Sequence, residues 1–150
     1  MSYRSKSVAA WLALLAGSVG LHRMYLRGWR DRLAWAHLVP TVAGLAGVER
    51  MLAFGQDDRL AWLLIPLLGL MLSQGALFAI LYGLTPDETW DARHNPGRAV
   101  TATRWAPVLA AILALLVGGA VLMGTITFAI QKFFEWQLQA GAAAIRTASR

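Results

Sequence analysis

Four long apolar stretches, separated by short polar segments, dominate the chain. The third lies between Arg59 and Asp87, the fourth lies between Arg104 and Lys132, and neither contains a charged residue. As a helix rising about 1.5 Å per residue, each is long enough to cross a hydrocarbon layer of about 30 Å. These two stretches are therefore predicted to be membrane-spanning helices.

The first two stretches, residues 7–22 and 33–48, are shorter. Each would extend only about 24 Å as a helix, so flanking charged side chains must reach the headgroups or the bilayer must thin locally. We expect both to cross, so that residues 5–54 form a helical hairpin and residues 55–150 form a second helical pair with a short helical extension. The predicted fold is all-α, a polytopic integral membrane protein with four transmembrane helices.

The tryptophans support this prediction, because all seven fall near a predicted helix end or in a connecting loop. A bilayer draws indole rings to the level of the headgroups, whereas a soluble core would bury them centrally. Arginines of the first loop can pair with lipid phosphates at the same level. The predicted membrane-surface anchors are Arg27, Trp29, Arg30, Arg32, Trp62, Trp90, Trp105 and Trp136.

The segment between the third and fourth helices, at about residues 85–95, is predicted to be a short interfacial helix. Thr85 is expected to be its N-cap and Pro86 its first residue, with Glu88 three residues after the cap completing a capping box. The run from Asn95 to Gly97 should end it. Trp90 would then face the lipid.

Small residues recur every four positions in the last two predicted helices. Such stripes allow helix backbones to approach closely in lipid. We expect these stripes to pack on each other or on a second copy of the chain. The residues are Gly75, Ala79, Gly83, Ala106, Ala110, Ala114 and Gly118.

Composition agrees with a membrane protein, since 57% of residues are hydrophobic and only 15% are charged. A chain of 150 residues cannot bury that much apolar surface in its own core. The net charge of +6 raises the possibility of nucleic acid, but the arginines lie beside apolar runs and nothing resembles a basic face with stacking aromatics. Anionic lipid headgroups are the expected partner, and no nucleic acid is expected.

A cleavable signal peptide is the alternative interpretation of the first apolar stretch, because Arg4 and Lys6 precede it. No convincing small-x-small cleavage site precedes His22, and charged residues follow at once. A retained helix is therefore favoured.

The segment from Gly17 to Leu26 carries a family motif. It resembles the TM2 domain, a hairpin of two membrane helices whose signature is a glycine-rich helix end followed by Gly-x-His-Arg-Phe-Tyr-Leu-Gly. The matching residues are Gly17, Gly20, His22, Arg23, Tyr25 and Leu26. Met24 replaces the usual Phe, and Arg27 replaces the final Gly. The resemblance covers residues 5–54, and it implies an architecture rather than a particular activity.

The two glycines of this motif also have a direct physical interpretation. Gly17 and Gly20 remove side chains where two helices meet at a tight turn, and they tolerate the positive φ angles found at helix ends.

The orientation in the membrane is less strongly encoded. With four crossings, lysine and arginine divide evenly, seven on each side. Because early segments usually dominate topology, we expect the loop at residues 22–32 at the cytoplasmic face of an inner membrane, with both termini outside.

No catalytic, cofactor or metal site is expected. The chain has no cysteine, and it lacks Gly-x-Ser-x-Gly, His-Glu-x-x-His and a phosphate-binding glycine loop. Asp87, Asp91 and His94 would share one face of the interfacial helix, but their charges also suit the two ends of a helix dipole. We prefer that role to metal ligation, and the protein is not expected to be an enzyme.

Three polar residues are predicted to lie at membrane depth: His37, Ser73 and Gln74. They could bridge helices by hydrogen bonds or line a path for ions or protons. The preferred function is an accessory, assembly or scaffold component that packs against another copy or another membrane protein. The alternative is a minimal channel or transporter formed by an oligomer, which the lack of mid-span carboxylates makes less attractive.

Overall fold

A computed structural model describes residues 3–100 and 102–148, and these residues contain helices and no β-strand. The prediction of an all-α fold is confirmed. The helices in chain order are α1 (Lys6–Ala16), α2 (Leu21–Arg27), α3 (Arg32–Ala36), α4 (Leu38–Phe54), α5 (Arg59–Leu84), α6 (Asp87–His94) and α7 (Ala106–Ala148). By length and composition, α5 and α7 can cross a membrane.

Helices α5 and α7 form the central antiparallel pair. Near one end of the pair, a Cβ atom added to Gly83 would lie 2.9 Å from the Cβ of Ala111. In the other half of the pair, a Cβ at Gly69 would lie 2.9 Å from the Cβ of Thr125. The small residues thus allow the two backbones to approach closely along most of α5. Part of the predicted stripe of small residues therefore packs α5 against α7 within one chain.

Helices α3 and α4 form one nearly continuous rod, interrupted only at His37, which runs antiparallel to α5. Gly44 packs against Leu68, and a Cβ at Gly47 would lie 2.6 Å from the Cβ of Leu64. The rod from Arg32 to Phe54 would extend about 34 Å, comparable to a hydrocarbon layer. It is longer than the predicted helix at 33–48.

The turn between α4 and α5 is held by side chains at both of its ends. Arg50 pairs with Asp58 at 2.7 Å, and Asp58 also caps α5 by accepting a hydrogen bond from the Leu60 amide. The indole nitrogen of Trp62 donates to the Gln56 carbonyl oxygen at 2.6 Å.

Helix α1 covers only part of α5. At its start, the Lys6 amine donates to the carbonyl oxygen of Thr85 at 3.0 Å, just past the end of α5. After its end, Gly17 packs directly on Gly75, in the interior of α5. Since α1 has 11 residues, it extends only about 16 Å. It is too short to run the length of α5.

The chain then reverses direction within the bundle. Gly20 adopts a left-handed conformation with φ of 78° and precedes α2. The Thr41 hydroxyl donates to the Ser18 carbonyl oxygen at 2.6 Å, which ties the turn to α4. Helix α2 runs back, so that the Ser5 amide donates to the Tyr25 hydroxyl oxygen at 2.9 Å. Residues on either side of the turn therefore meet at the same end of the bundle.

The prediction of one helix over residues 7–22 is therefore wrong, as is the placement of Arg4 and Lys6 opposite the first loop. The positive φ expected in the turn occurs at Gly20 but not at Gly17, whose φ is −65°. Gly17 is needed for close approach instead, because a side chain there would strike the backbone of Gly75.

Alanine forms the centre of the bundle. A core cluster joins α1, α5 and α7 through Ala13, Ala76, Ala79 and Ala114. These small side chains let α1 lie close to the α5–α7 pair. The larger apolar side chains of α5 and α7 consequently point outward in large numbers.

Candidate functional site

Helix α6, the end of α2 and residues 3–5 meet at one end of the bundle, which we call the α6 end. The Arg4 amide donates to the Asn95 side-chain oxygen at 2.8 Å, and the Asn95 side-chain nitrogen donates back to the Arg4 carbonyl at 3.2 Å. The Trp90 indole donates to the same carbonyl at 2.9 Å. Residues distant in sequence thus fix α6 against the start of the chain.

Asp87 forms the second junction at the α6 end. Its carboxylate forms an ion pair with Lys6 and accepts a hydrogen bond from the Thr103 amide at 2.7 Å. Burial raises the pKa of Asp87, but the hydrogen bonds from Lys6 and Thr103 outweigh it and lower the pKa to about 2. The carboxylate is therefore charged at neutral pH and joins the starts of three helical segments.

The three side chains weighed as metal ligands, Asp87, Asp91 and His94, each contact other groups of the protein. Asp91 is buried and accepts a hydrogen bond from the Asn95 side chain at 2.6 Å, while the His94 ring stacks on Trp90 with centroids 4.2 Å apart. Within the described residues, no group of three or more possible metal ligands comes together.

The predicted capping box of α6 is wrong. Thr85 closes α5 instead, because its hydroxyl donates to the Leu81 carbonyl oxygen at 2.6 Å. Pro86 occupies the N-cap position and supplies no side-chain hydrogen bond, so α6 begins at Asp87. Glu88 is in the first turn, but Pro86 at the N-cap has no backbone N–H from which its carboxylate could accept a hydrogen bond. The helix ends at His94, followed by Asn95 and by Gly97 with φ of 80°, as expected.

Two of the predicted tryptophan anchors point inward. Trp90 is only 2% exposed and Trp62 only 8% exposed, so neither presents its ring to lipid. Both indoles donate to backbone carbonyls, Trp62 to that of Gln56 and Trp90 to that of Arg4. Trp29, Trp105 and Trp136 are 70%, 74% and 47% exposed, as a surface anchor would need. Position near a helix end does not decide which way an indole points.

A cavity of about 540 Å³ opens at the α6 end. Helix α2 contributes Arg23, Leu26 and Arg27, α5 contributes Phe78, Leu81 and Tyr82, and α6 contributes Arg93 and His94, with Thr85, Thr89 and Trp90 completing the wall. We call this space the α2–α5–α6 cavity. Burial lowers the pKa of His94 more than its hydrogen bond to the Trp90 carbonyl raises it, so its ring is neutral at pH 7. The positive charge of the cavity therefore comes from its arginines.

Within the described part of the chain, Arg23 is held in place through one of its nitrogens. Its Nε donates to the Asp31 carboxylate at 3.0 Å. Its Nη2 is buried and has no hydrogen-bond partner among the described residues. A buried guanidinium nitrogen without an acceptor is costly, so this atom is available for an anionic group.

Behind the cavity lies a second set of unsatisfied polar atoms. The motif residue His22 is fully buried, and neither of its ring nitrogens has a partner among the described residues. Its ring lies 5.0 Å from the Phe78 ring and 5.9 Å from the His37 ring, measured between centroids. His37 is bonded through Nδ1 to the Leu33 carbonyl, but its Nε2 also has no partner in the described part of the chain. We call His22 and His37 the buried histidine pair.

The three polar residues predicted at membrane depth differ in their hydrogen bonding. Gln74 lies one helical turn before Phe78 on α5, and its buried side-chain oxygen has no partner among the described residues. Ser73 donates to the Gly69 carbonyl of its own helix at 2.8 Å. It is thus a locally satisfied residue rather than a bridge between helices.

The segment Gly17–Leu26 is divided between the turn, the core and the cavity. Gly17 and Gly20 make the turn, His22 enters the core, and Arg23 and Leu26 line the cavity, while Tyr25 accepts the Ser5 hydrogen bond. Arg27 also lines the cavity, whereas Arg30 and Arg32 are exposed outside it. Sequence reasoning missed Phe78, Tyr82 and Arg93, because nothing in their local pattern links them to the distant motif.

No protein-family model, no curated protein and no solved structure matches the chain.

Proposed function

We propose that this chain is a small integral membrane protein with three crossing rods and one re-entrant hairpin, formed by α1 and α2. It acts through helix packing as an accessory, assembly or scaffold component and has no catalytic activity of its own. The crossing rods are α3–α4, α5 and α7. Supporting this, the most apolar windows of α5 and α7 are only 17% and 28% buried within the chain, which leaves most of their surface for lipid or other helices.

Charge distribution supports an orientation in the bacterial inner membrane. Because the hairpin turns back, Arg4 and Lys6 join the α6 end, and the even division of positive charge disappears. Among described residues, the α6 end carries Arg4, Lys6, Arg23, Arg27, Arg30, Arg32, Arg93, Arg98 and Arg104, against Arg50, Arg59, Lys132 and Arg146 at or beyond the other end. Arg150 lies outside the described residues. The positive-inside rule then favours the α6 end, with loop 22–32, at the cytoplasmic face.

One observation carries the packing function. Apart from the neighbouring backbone of α7 itself, no atom of the described residues lies within 4 Å of a Cβ added to Gly124, which lines an apolar groove of about 300 Å³ between α5 and α7. The groove also contains Pro66 and Gly69 of α5 and Phe128 of α7. In a bilayer such a groove accepts the side chains of another helix, because packing replaces the hydrophobic drive there. A second copy or another membrane protein would supply that helix.

The absence of cysteine makes this testable by single-cysteine cross-linking in membranes. With Gly124→Cys, we expect one discrete cross-linked species, either a homodimer or one heterologous adduct. Gly124→Leu should fill the groove and weaken the association, whereas Gly141→Leu, at another open glycine of α7, should not. A monomer with no specific adduct at native expression level would contradict the proposal.

A minimal channel or transporter formed by an oligomer is a second candidate, favoured by the buried histidine pair and Gln74. The variant Gln74→Leu discriminates between the two functions. A structural bridge should lose assembly, whereas a residue of a conducting path should change ion or proton flux into proteoliposomes while assembly stays intact.

Membership in the TM2 family is part of the proposal. Its support is the motif at Gly17–Leu26, which forms the turn and contributes Arg23 and Leu26 to the cavity wall.

A further inference from the structure

We propose that the α2–α5–α6 cavity binds one anionic phospholipid, with the phosphate among the arginines and the start of an acyl chain along α5. This rests on the membrane insertion proposed above, but not on any protein partner or oligomer. The cavity is a defined site in the fold, distinct from the general attraction of a basic loop to headgroups.

The charge of the cavity points to a phosphate. Arg23, Arg27 and Arg93 line it, and none of its lining residues is acidic. Within the described part of the chain, the ion pairs engage Arg23 but neither Arg27 nor Arg93. The buried Nη2 of Arg23 has no acceptor among the residues that the structure describes. Guanidinium groups bind phosphate oxygens through paired N–H donors, so three of them around one opening suit a single phosphate group.

The apolar part of the wall points to a lipid rather than to a small soluble anion. Leu26, Phe78 and Leu81 line the same cavity, and Leu81 is 51% exposed on the outer surface of α5. A chain leaving the cavity past Leu81 would therefore enter the hydrocarbon layer directly. The hydroxyl-bearing Thr85 and Thr89 lie toward α6, at the surface end. The cavity wall is thus polar near α6 and apolar along α5, which matches the order of headgroup and acyl chain in a phospholipid.

The size of the cavity agrees with such a ligand. About 540 Å³ lies within the range of roughly 300–1,000 Å³ typical of small-molecule sites. This is enough for a headgroup and the first part of the chains, while the rest of the chains would remain in the bilayer.

The test compares two double variants that remove the same charge. Arg27→Gln/Arg93→Gln alters the cavity while keeping the Arg23–Asp31 ion pair, and Arg30→Gln/Arg32→Gln alters exposed positions at the same end. The full-length protein in detergent is titrated with phosphatidylglycerol or with phosphatidylcholine, and bound lipid is counted on the monomer by native mass spectrometry. Melting temperatures of both variants are measured to show that they are folded.

We expect one phosphatidylglycerol per chain in the unaltered protein, with weaker binding of phosphatidylcholine. The cavity variant should lose roughly thirtyfold in affinity, from two arginine contacts, and the control variant less than threefold. Equal losses in the two variants, or equal binding of the two lipids, would overturn the proposal.

Inorganic phosphate at millimolar concentration should not displace the lipid, and full displacement would assign the site to soluble phosphates instead. Because lipid is counted on monomers, a failure to find a protein partner would leave this result unaffected.

Discussion

Replacing Gly75 by alanine should loosen α1 from α5. The new Cβ would lie 2.8 Å from the Ala13 carbonyl oxygen and 2.9 Å from the Gly17 Cα. Both are backbone atoms that no rotamer change can move, whereas carbon contacts are comfortable only at about 3.5–4 Å. Helix α1 would have to move away by roughly 0.5–1 Å, and overpacking of this kind costs about 1–3 kcal/mol.

A matched substitution isolates this steric cost. Gly119 is also a helix-interior glycine, but apart from the neighbouring backbone of α7 no atom of the described residues lies within 4 Å of its added Cβ. Gly119→Ala should therefore show only the intrinsic helix preference of alanine, a gain of up to about 1 kcal/mol. Both variants are unfolded by sodium dodecyl sulfate in mixed micelles and followed by circular dichroism. If Gly75→Ala is as stable as Gly119→Ala, α1 does not pack on α5 as described here.

Three further changes test the α6 end and the core. The pKa of Asp87 is depressed to about 2, so the stability that its carboxylate gives the fold is present above pH 4 and is lost as the pH falls from 4 to 2. After solvent screening this contribution is on the order of 1 kcal/mol. In thermal melts between pH 4 and pH 2, the variant Asp87→Asn should no longer show this pH dependence. Trp90→Phe removes the hydrogen bond to Arg4 and should cost about 1–2 kcal/mol in thermal unfolding, whereas Trp105→Phe, at an exposed ring, should be neutral. His22→Leu replaces an imidazole that has no hydrogen-bond partner among the described residues. The melting temperature of this variant should therefore equal or exceed that of the unaltered protein, and a clear decrease would show that the imidazole does have a hydrogen-bond partner.

The long helices were predictable because their signal is local. The uncharged runs of α5 and α7 each exceed the thickness of a hydrocarbon layer, and their small residues at every fourth position indicate a packed face. Gly83 and Gly118 do lie between these two helices. The glycines of the first turn were equally visible, although their separate roles, positive φ at Gly20 and close approach at Gly17, were not.

The reversal after α1 was not predictable from local pattern. An apolar stretch such as 7–22 has the same composition whether it crosses a bilayer or turns back halfway. What decides it is distant in sequence, namely the contacts of Gly17 with Gly75 and of Lys6 with Thr85 and Asp87. The orientation of Trp90 is a similar case, since an indole at a helix end serves equally well in lipid or against a backbone carbonyl. The cavity was missed because its walls come from three separate segments.

The re-entrant path of α1 and α2 is tested most directly by labelling single cysteines in oriented membranes with an impermeant thiol reagent. The three sites are Tyr3→Cys, Arg30→Cys and Asp57→Cys, at positions that are exposed in the structure. We predict that residues 3 and 30 react from the same side, the cytoplasmic one, and residue 57 only from the other. Labelling of residues 3 and 30 from opposite sides would show that the first hairpin crosses the membrane, and would contradict the account.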